Sequence, residues 1–159
     1  MSQANRYLSG FCPSQRIFPP QIFQVLLNVG GTWDWNRYPG ARFDSESWTY
    51  GYSFSEELLQ EWHWTEHFAP QPETERYLNY VANKFDLRRD IQFHSRVSAA
   101  HYREETRGWD VTLEDGRRYH TRLLITAIGV LSAPTMPRIA GVETFQGQSC
   151  QGVSPKLCS

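Results

Sequence analysis

The 159-residue sequence has little cysteine: only Cys12, Cys150 and Cys158, an odd number that cannot all pair within one chain. No two of them form a C-x-x-C step. His63 and His67 stand four apart without a third ligand nearby, so no metal site is expected. There is no charge of one sign to speak of. A net charge of −1 removes the electrostatic case for nucleic acid or an acidic membrane surface. Long hydrophobic runs are missing too: the longest apolar stretch, Ile22 to Val29, is short and broken by Gln24 and Asn28, so no membrane span is expected. The start, Met1-Ser2-Gln3-Ala4-Asn5, lacks the basic-then-apolar pattern of a signal peptide, and a reducing, cytoplasmic setting is the expectation. No Ser/His/Asp or Cys/His set stands out as a nucleophile with its base.

What the chain does have is an unusual loop. Gly30-Gly31-Thr32-Trp33-Asp34-Trp35-Asn36-Arg37-Tyr38-Pro39-Gly40-Ala41-Arg42-Phe43-Asp44 carries two tryptophans, an Arg-Tyr-Pro-Gly turn and a closing aspartate. The glycine pair and the Pro-Gly step favour irregular backbone, and loops are where binding and chemistry concentrate. Indoles offer flat stacking faces and one N–H donor each, which suits a flat aromatic ligand. A loop folded onto its own aromatic cluster accounts for the same composition.

This segment resembles the fingerprint of the Baeyer–Villiger monooxygenases, flavoproteins that insert an oxygen atom beside a ketone. That pattern runs Gly/Ala-Gly-x-Trp, four variable residues, Tyr/Phe-Pro-Gly/Met, three variable residues, Asp. Gly30, Gly31, Trp33, Tyr38, Pro39, Gly40 and Asp44 fill every fixed position. The likeness continues through Ser53-Phe54-Ser55-Glu56-Glu57, Ala69-Pro70-Gln71-Pro72-Glu73, Phe85 to Ile91 and Thr126 to Ser132. It covers about Val29 to Gly147, roughly three quarters of the chain.

The resemblance implies an α/β fold: part of the FAD-binding domain of a two-dinucleotide-binding flavoprotein with an inserted β-meander. Three segments are expected: a divergent, poorly ordered stretch 1–28, the partial FAD-binding domain 29–147, and a divergent tail 148–159. The family's G-x-G-x-x-G, whose helix N-terminus holds the FAD pyrophosphate, occurs nowhere in the sequence. Pro13, Pro19 and Pro20 interrupt the stretch where it would lie. At the far end Phe145 and Gly147 match a family F-x-G-x-x-x-H-x-x-x-W, but Gln151 takes the histidine position and no tryptophan follows. The family's anion-stabilising arginine has no counterpart. A truncated form, inactive on its own, is therefore expected, with a non-catalytic remnant or a scaffold that binds no cofactor as the alternative.

Local patterns supply the elements. Ile22 to Val29 reads as a strand by apolar content, and Ser53 or Ser55 caps a short helix through Trp62. Pro72 sits where helices accept proline, and Tyr77, Leu78, Val81, Ala82 and Phe85 follow at helical spacing, so a helix is expected over 72–86. Asp90 to Phe93 and Val97 to Tyr102 read as strands, and Trp109, Val111 and Leu113 alternate as a half-buried third. Glu114-Asp115-Gly116 signals a hairpin returning through Arg117 to His120, and Arg103 to Arg107 reads as a solvated turn. Leu123 to Thr126 reads as a fully buried strand of a parallel sheet, with Ala127-Ile128-Gly129 a small-residue step where backbone can approach a ligand.

By resemblance, Thr32, Trp33, Asp34 and Trp35 line FAD, with Trp33 near the isoalloxazine and Asp44, Ser45 and Tyr50 next along the same edge. Arg42, Phe43 and Asp44 match the stretch approaching the NADPH side, and Asp44 matches the aspartate that acts in catalysis. Val97 matches a position that presents backbone to the adenine. The cofactors implied are FAD and NADPH, and the substrate a small hydrophobic ketone, with specialised metabolism as the setting. The residues alone permit other roles: packed aromatics at Trp33 and Trp35, a turn cap at Asp44, one face of a strand at Tyr50 and Tyr52, a core valine at Val97.

Overall fold

The computed structural model describes residues 21–129, 131, 135 and 138–147. The expectations for 1–20 and 148–159, including Gln151, lie outside the described residues.

The chain enters on β1 (Ile22–Phe23), which pairs in parallel with β2 (Ile91–Gln92), Ile22 opposite Ile91 and Phe23 opposite Gln92. Both strands are shorter than their apolar content suggests. Past Gln24 the backbone bends, and the Gln24 side-chain amide donates to the Asn28 carbonyl at 3.4 Å. Such local side-chain bonds compete with strand pairing.

Four α-helices follow: α1 (Thr32–Trp35), α2 (Ser47–Tyr50), α3 (Glu56–Glu61) and α4 (Gln71–Lys84). Of the two candidate caps for α3 it is Ser55 that serves, its hydroxyl oxygen accepting the Leu58 N–H at 3.2 Å. Acidic Glu56 and Glu57 in the first turn add to this through the helix dipole. Pro72 stands in the first turn of α4, where its missing N–H is no loss. The helix closes at Lys84, with Phe85 as its C-cap and Asp86 in the left-handed region at φ 49°. A 3-10 turn over Leu87–Asp90 then delivers the chain to β2.

Two aromatic-rich clusters form the core around α4. One gathers Trp33, Phe43 and Ala69 with Tyr50, the other Leu58, Tyr77 and Val81 with Tyr52, Trp62, Tyr80 and Phe85; Trp64 and Leu78 touch both. The helical spacing of Tyr77, Leu78 and Val81 is what puts one face of α4 against both.

Beyond β2 lies an antiparallel meander of β3 (Val97–Arg103), β4 (Gly108–Leu113) and β5 (Arg118–Thr121). Alternation buries Val111 and Leu113 with Trp109 half-buried beside them. The turn after Leu113 uses Gly116 at φ +88°, a left-handed conformation that favours glycine. Arg117 ties the meander to the parallel pair: its guanidinium donates to Gln92 at 3.0 Å and to the buried Ser95 hydroxyl at 3.0 Å. Residues 104–107 form an exposed turn, as their charge implies.

One expectation is overturned. Leu123 to Thr126 is not a buried strand: it has no strand pairing, and Leu123 and Ile125 are about four-fifths exposed, at 81% and 80%. A strand exists only where a neighbour takes its backbone hydrogen bonds. Among the described residues, the sole parallel pairing is that of the two-residue strands β1 and β2.

Candidate functional site: an aromatic wall clamped by one helix

The fingerprint loop folds because its glycines permit it. Gly30 at φ +133° and Gly31 at φ +51° reverse the chain so that their carbonyls start α1, accepting from Trp33 N at 3.0 Å and Asp34 N at 3.1 Å. The Pro39-Gly40 step closes a second turn, with Ala41 N donating to the Tyr38 carbonyl at 3.1 Å and Gly40 at φ +80°. Between these turns α1 drives Trp33 inward, leaving it 8% exposed.

Trp33 then meets Phe43 from the same loop and Tyr50 from the end of α2. Phe43 and Tyr50 stack at 4.5 Å with an interplanar angle of 4°. The Trp33 indole stands edge-on to Phe43 at 5.7 Å, and its Nε1–H donates to the Tyr50 hydroxyl at 2.5 Å. Trp64 closes the group from the other side, edge-on to Phe43 at 6.1 Å. Burial pushes the Tyr50 phenol up, an effect that the Trp33 donor partly offsets. Tyr52 is pushed higher still, by burial first and then by its neighbours Tyr50 and Tyr77. These phenols therefore stay neutral at ordinary pH, and the cluster is an uncharged, stacked wall.

The other expected site residues spread around this wall. Thr32 is half-buried at the start of α1, its carbonyl accepting the Asn36 N–H and side-chain amide at 2.9 and 2.8 Å. Asp34 pairs with Arg37 at 2.8 Å. Trp35 is exposed, as are Asp44 and Ser45. Arg42 is exposed and donates to Glu66 at 3.0 Å and to the Phe68 carbonyl at 3.1 Å. Val97 sits apart, at the start of β3 opposite Leu113, and is exposed rather than a core valine. Tyr50 and Tyr52 do not share a strand: Tyr50 ends α2, and Tyr52 follows Gly51 with its N–H donating to the Tyr77 hydroxyl at 2.8 Å.

Sequence reasoning missed the polar clamps. Gln71, 6% exposed, donates its side-chain amide to the Trp33 carbonyl at 2.5 Å and its backbone N–H to the Ala41 carbonyl at 2.8 Å. Glu73, 2% exposed, accepts from the Thr65 N–H at 2.9 Å and the Thr65 hydroxyl at 2.8 Å. The Ser47 hydroxyl donates to the Glu66 carbonyl at 2.6 Å and accepts the Ala69 N–H at 2.9 Å. A signal existed: tracing the apolar stripe of α4 backward by helical steps from Val81 through Tyr77 and Leu78 reaches Thr74 and then Gln71. Polar residues on a core-facing stripe have partners to hold.

No protein-family model matches the chain. Individual proteins do. The acetone monooxygenase (methyl acetate-forming) of Gordonia sp. (strain TY-5) is 48% identical over 128 residues, 80% of this chain and 24% of that protein. A Baeyer–Villiger monooxygenase of Pseudooceanicola batsensis is 45% identical over 126 residues, 79% of this chain and 23% of the relative. The crystal structure of OTEMO in complex with FAD and NADP superposes with a TM-score of 0.79 at 42% identity, over 92% of this chain and 27% of that one. The chain thus spans about a quarter of the length of the relatives it matches. Identity at this level over four fifths of the chain, together with a mixed helix-and-sheet fold that superposes on a solved structure, makes the 159 residues part of a known lineage: the chain belongs to the Baeyer–Villiger monooxygenase family.

Proposed function

We propose that this chain supplies the flavin-facing wall of an FAD- and NADPH-dependent monooxygenase that converts a hydrophobic ketone to an ester or lactone. The observation that carries the reading is the complete Gly30-to-Asp44 fingerprint, folded as one loop whose aromatic side chains back each other. The balanced reaction consumes the ketone, O₂, NADPH and a proton, and yields the ester, NADP⁺ and water. Acetone to methyl acetate, the conversion in the Gordonia relative's name, is this chemistry on the smallest ketone.

The residues fit the ring half of FAD and not its phosphate half. Exposed Trp35 offers an indole face, and exposed Asp44 and Ser45 offer an acceptor and a hydroxyl, with Arg42 a cation held by Glu66. Flavins call for just such an apolar, stacked setting with polar partners at one edge. The sequence contains no G-x-G-x-x-G for a pyrophosphate. In this reading Thr32, Trp33, Asp34, Trp35, Phe43, Ser45 and Tyr50 shape the ring environment. Arg42 and Asp44 face the nicotinamide side, and Val97 meets the adenine end through its backbone. When bound, reduced flavin would supply the activation of dioxygen. Asp44 is the one residue of this chain assigned to the reacting centre, as an orienting carboxylate. No helix among the described residues is long and apolar enough to cross a membrane. The setting that goes with this reading is a cytoplasmic enzyme of specialised metabolism.

A second reading, a scaffold that binds no cofactor, draws on the same cluster: the Trp33 indole has its one N–H donor already satisfied by Tyr50. One transplant separates the two. Residues 29–147 replace the matching segment of the Gordonia acetone monooxygenase. A yellow, FAD-loaded chimera with ketone-dependent NADPH oxidation, lowered on the order of a hundredfold by Asp44→Ala, supports the enzyme reading. A chimera that folds and takes up no FAD supports the scaffold.

A further inference from the structure

We propose that Gln71 is a positioning residue: it sets where the Trp33 side of the flavin wall stands, and the Glu75–Arg37–Asp34 chain is only an outer tether. The flavin part of this rests on the function proposed above. The positioning of Trp33 does not.

The geometry concentrates on one helix turn. The two hydrogens of the Gln71 amide are both in use, one to the Trp33 carbonyl at 2.5 Å and one to Glu75 Oε2 at 2.9 Å. The Gln71 backbone N–H, left free by its place at the start of α4, is taken by Ala41 O at 2.8 Å. A single residue therefore grips the loop just after its glycine turn and again just after its Pro-Gly turn. Trp33 is held from both ends as a result, its carbonyl by Gln71 and its indole nitrogen by Tyr50. Two bonded ends leave the ring little freedom to rotate or slide, which is the kind of preorganisation a stacking wall requires.

The outer tether differs in solvent exposure. The Arg37 guanidinium reaches Asp34 at 2.8 Å and Glu75 at 2.5 Å; its own side chain is 48% exposed, and those of Asp34 and Glu75 are 12% and 18% exposed. A cation that stands half in water is still solvated when its ion pairs open, so its loss costs little. The Trp33 carbonyl, by contrast, lies under a buried residue, and a buried acceptor left without a donor carries the full desolvation penalty. The two tethers should thus respond very differently to removal.

The experiment uses the 159-residue chain and two readouts. One is the Trp33 indole N–H resonance in a ¹H–¹⁵N spectrum, assigned by its loss in Trp33→Phe. The other is quenching of added riboflavin, which carries the flavin ring without phosphates. Gln71→Met keeps the side chain's length and removes its donors; Gln71→Lys restores a donor. Expected is a Trp33 resonance displaced in Gln71→Met, returned toward its original place in Gln71→Lys, and little changed in Arg37→Ala. If Gln71→Met and Gln71→Lys move the resonance equally, or neither moves it, Gln71 does not position Trp33. Riboflavin separates the two layers. Quenching by the unaltered chain that is weakened in Gln71→Met supports both layers, and unchanged quenching in Gln71→Met overturns the positioning role. No quenching by the unaltered chain, with the resonance still displaced in Gln71→Met, sinks the flavin wall and leaves the positioning role standing.

Discussion

Trp33 and Tyr50, seventeen residues apart, share a hydrogen bond of 2.5 Å from the indole Nε1 to the phenolic oxygen. It joins α1 to the end of α2 inside a cluster of stacked rings, and nothing in the local sequence pattern announces it. Removing the acceptor with Tyr50→Phe strands a buried indole N–H at a cost of about 1–3 kcal/mol. Urea unfolding of Tyr50→Phe, Trp33→Phe and the pair should show the double variant losing less than the sum of the singles. Strict additivity would mean the bond carries no coupling energy.

The buried phenols give the chain an alkaline limit. Burial raises Tyr50, Tyr52 and Tyr77 above the ordinary tyrosine value of 10.0. A group with a raised folded pKa contributes stability that is fully present below its unfolded value and lost as pH rises through the folded one. Stability should therefore fall as pH climbs past about 10, and phenolate absorbance of these residues should emerge together with loss of structure. Tyr52→Phe, which removes the phenol raised furthest, should flatten that fall. Phenolate absorbance appearing well before unfolding would contradict the burial argument.

On the meander's solvent face, His120 Nδ1 lies 2.8 Å from Asp110 Oδ1, and Arg103 Nε lies 2.8 Å from Oδ2. The His120 bond first, and the Arg103 bond second, hold the Asp110 carboxyl below the usual carboxylate range. The associated stability is present above the unfolded aspartate value and disappears as pH falls through the folded one. Gly108 makes room for this pair, because a Cβ there would stand 2.7 Å from His120 Nε2. Gly108→Ala should push the ring aside and raise the Asp110 pKa toward its ordinary value, read by carboxyl ¹³C titration. An unmoved Asp110 would assign its shift to Arg103 instead.

Leu123, Ile125 and Ile128 are each about 80% exposed, at 81%, 80% and 80%. Apolar side chains in one exposed run favour association. Sedimentation should show concentration-dependent self-association of the chain, reduced in the Leu123→Lys, Ile125→Lys double variant. An unaltered chain that stays monomeric at high concentration would rule out this run as an association surface.

Local chemistry made α4, a serine cap at Ser53 or Ser55 and the β4–β5 hairpin legible, because each rests on contacts between near neighbours in sequence; the structure selects Ser55. The fingerprint loop was legible as a motif, and its fixed glycines at positions 30, 31 and 40 do adopt the left-handed backbone such turns require. The clamps were not legible in the same way. Gln71 reaches back 38 residues to Trp33, and Glu73 reaches back 8 to Thr65, pairings that only the folded chain defines. Leu123 to Thr126 misled for the opposite reason. Its apolar, β-branched content suits a strand, but content alone provides no neighbour to hydrogen-bond with.

The most direct test of the central claim, a ring-facing wall with no phosphate cradle, is the visible absorption spectrum of the purified 159-residue chain after gel filtration with excess FAD. The account predicts colourless protein and no ketone-dependent NADPH oxidation. A yellow protein retaining one FAD per chain would contradict it.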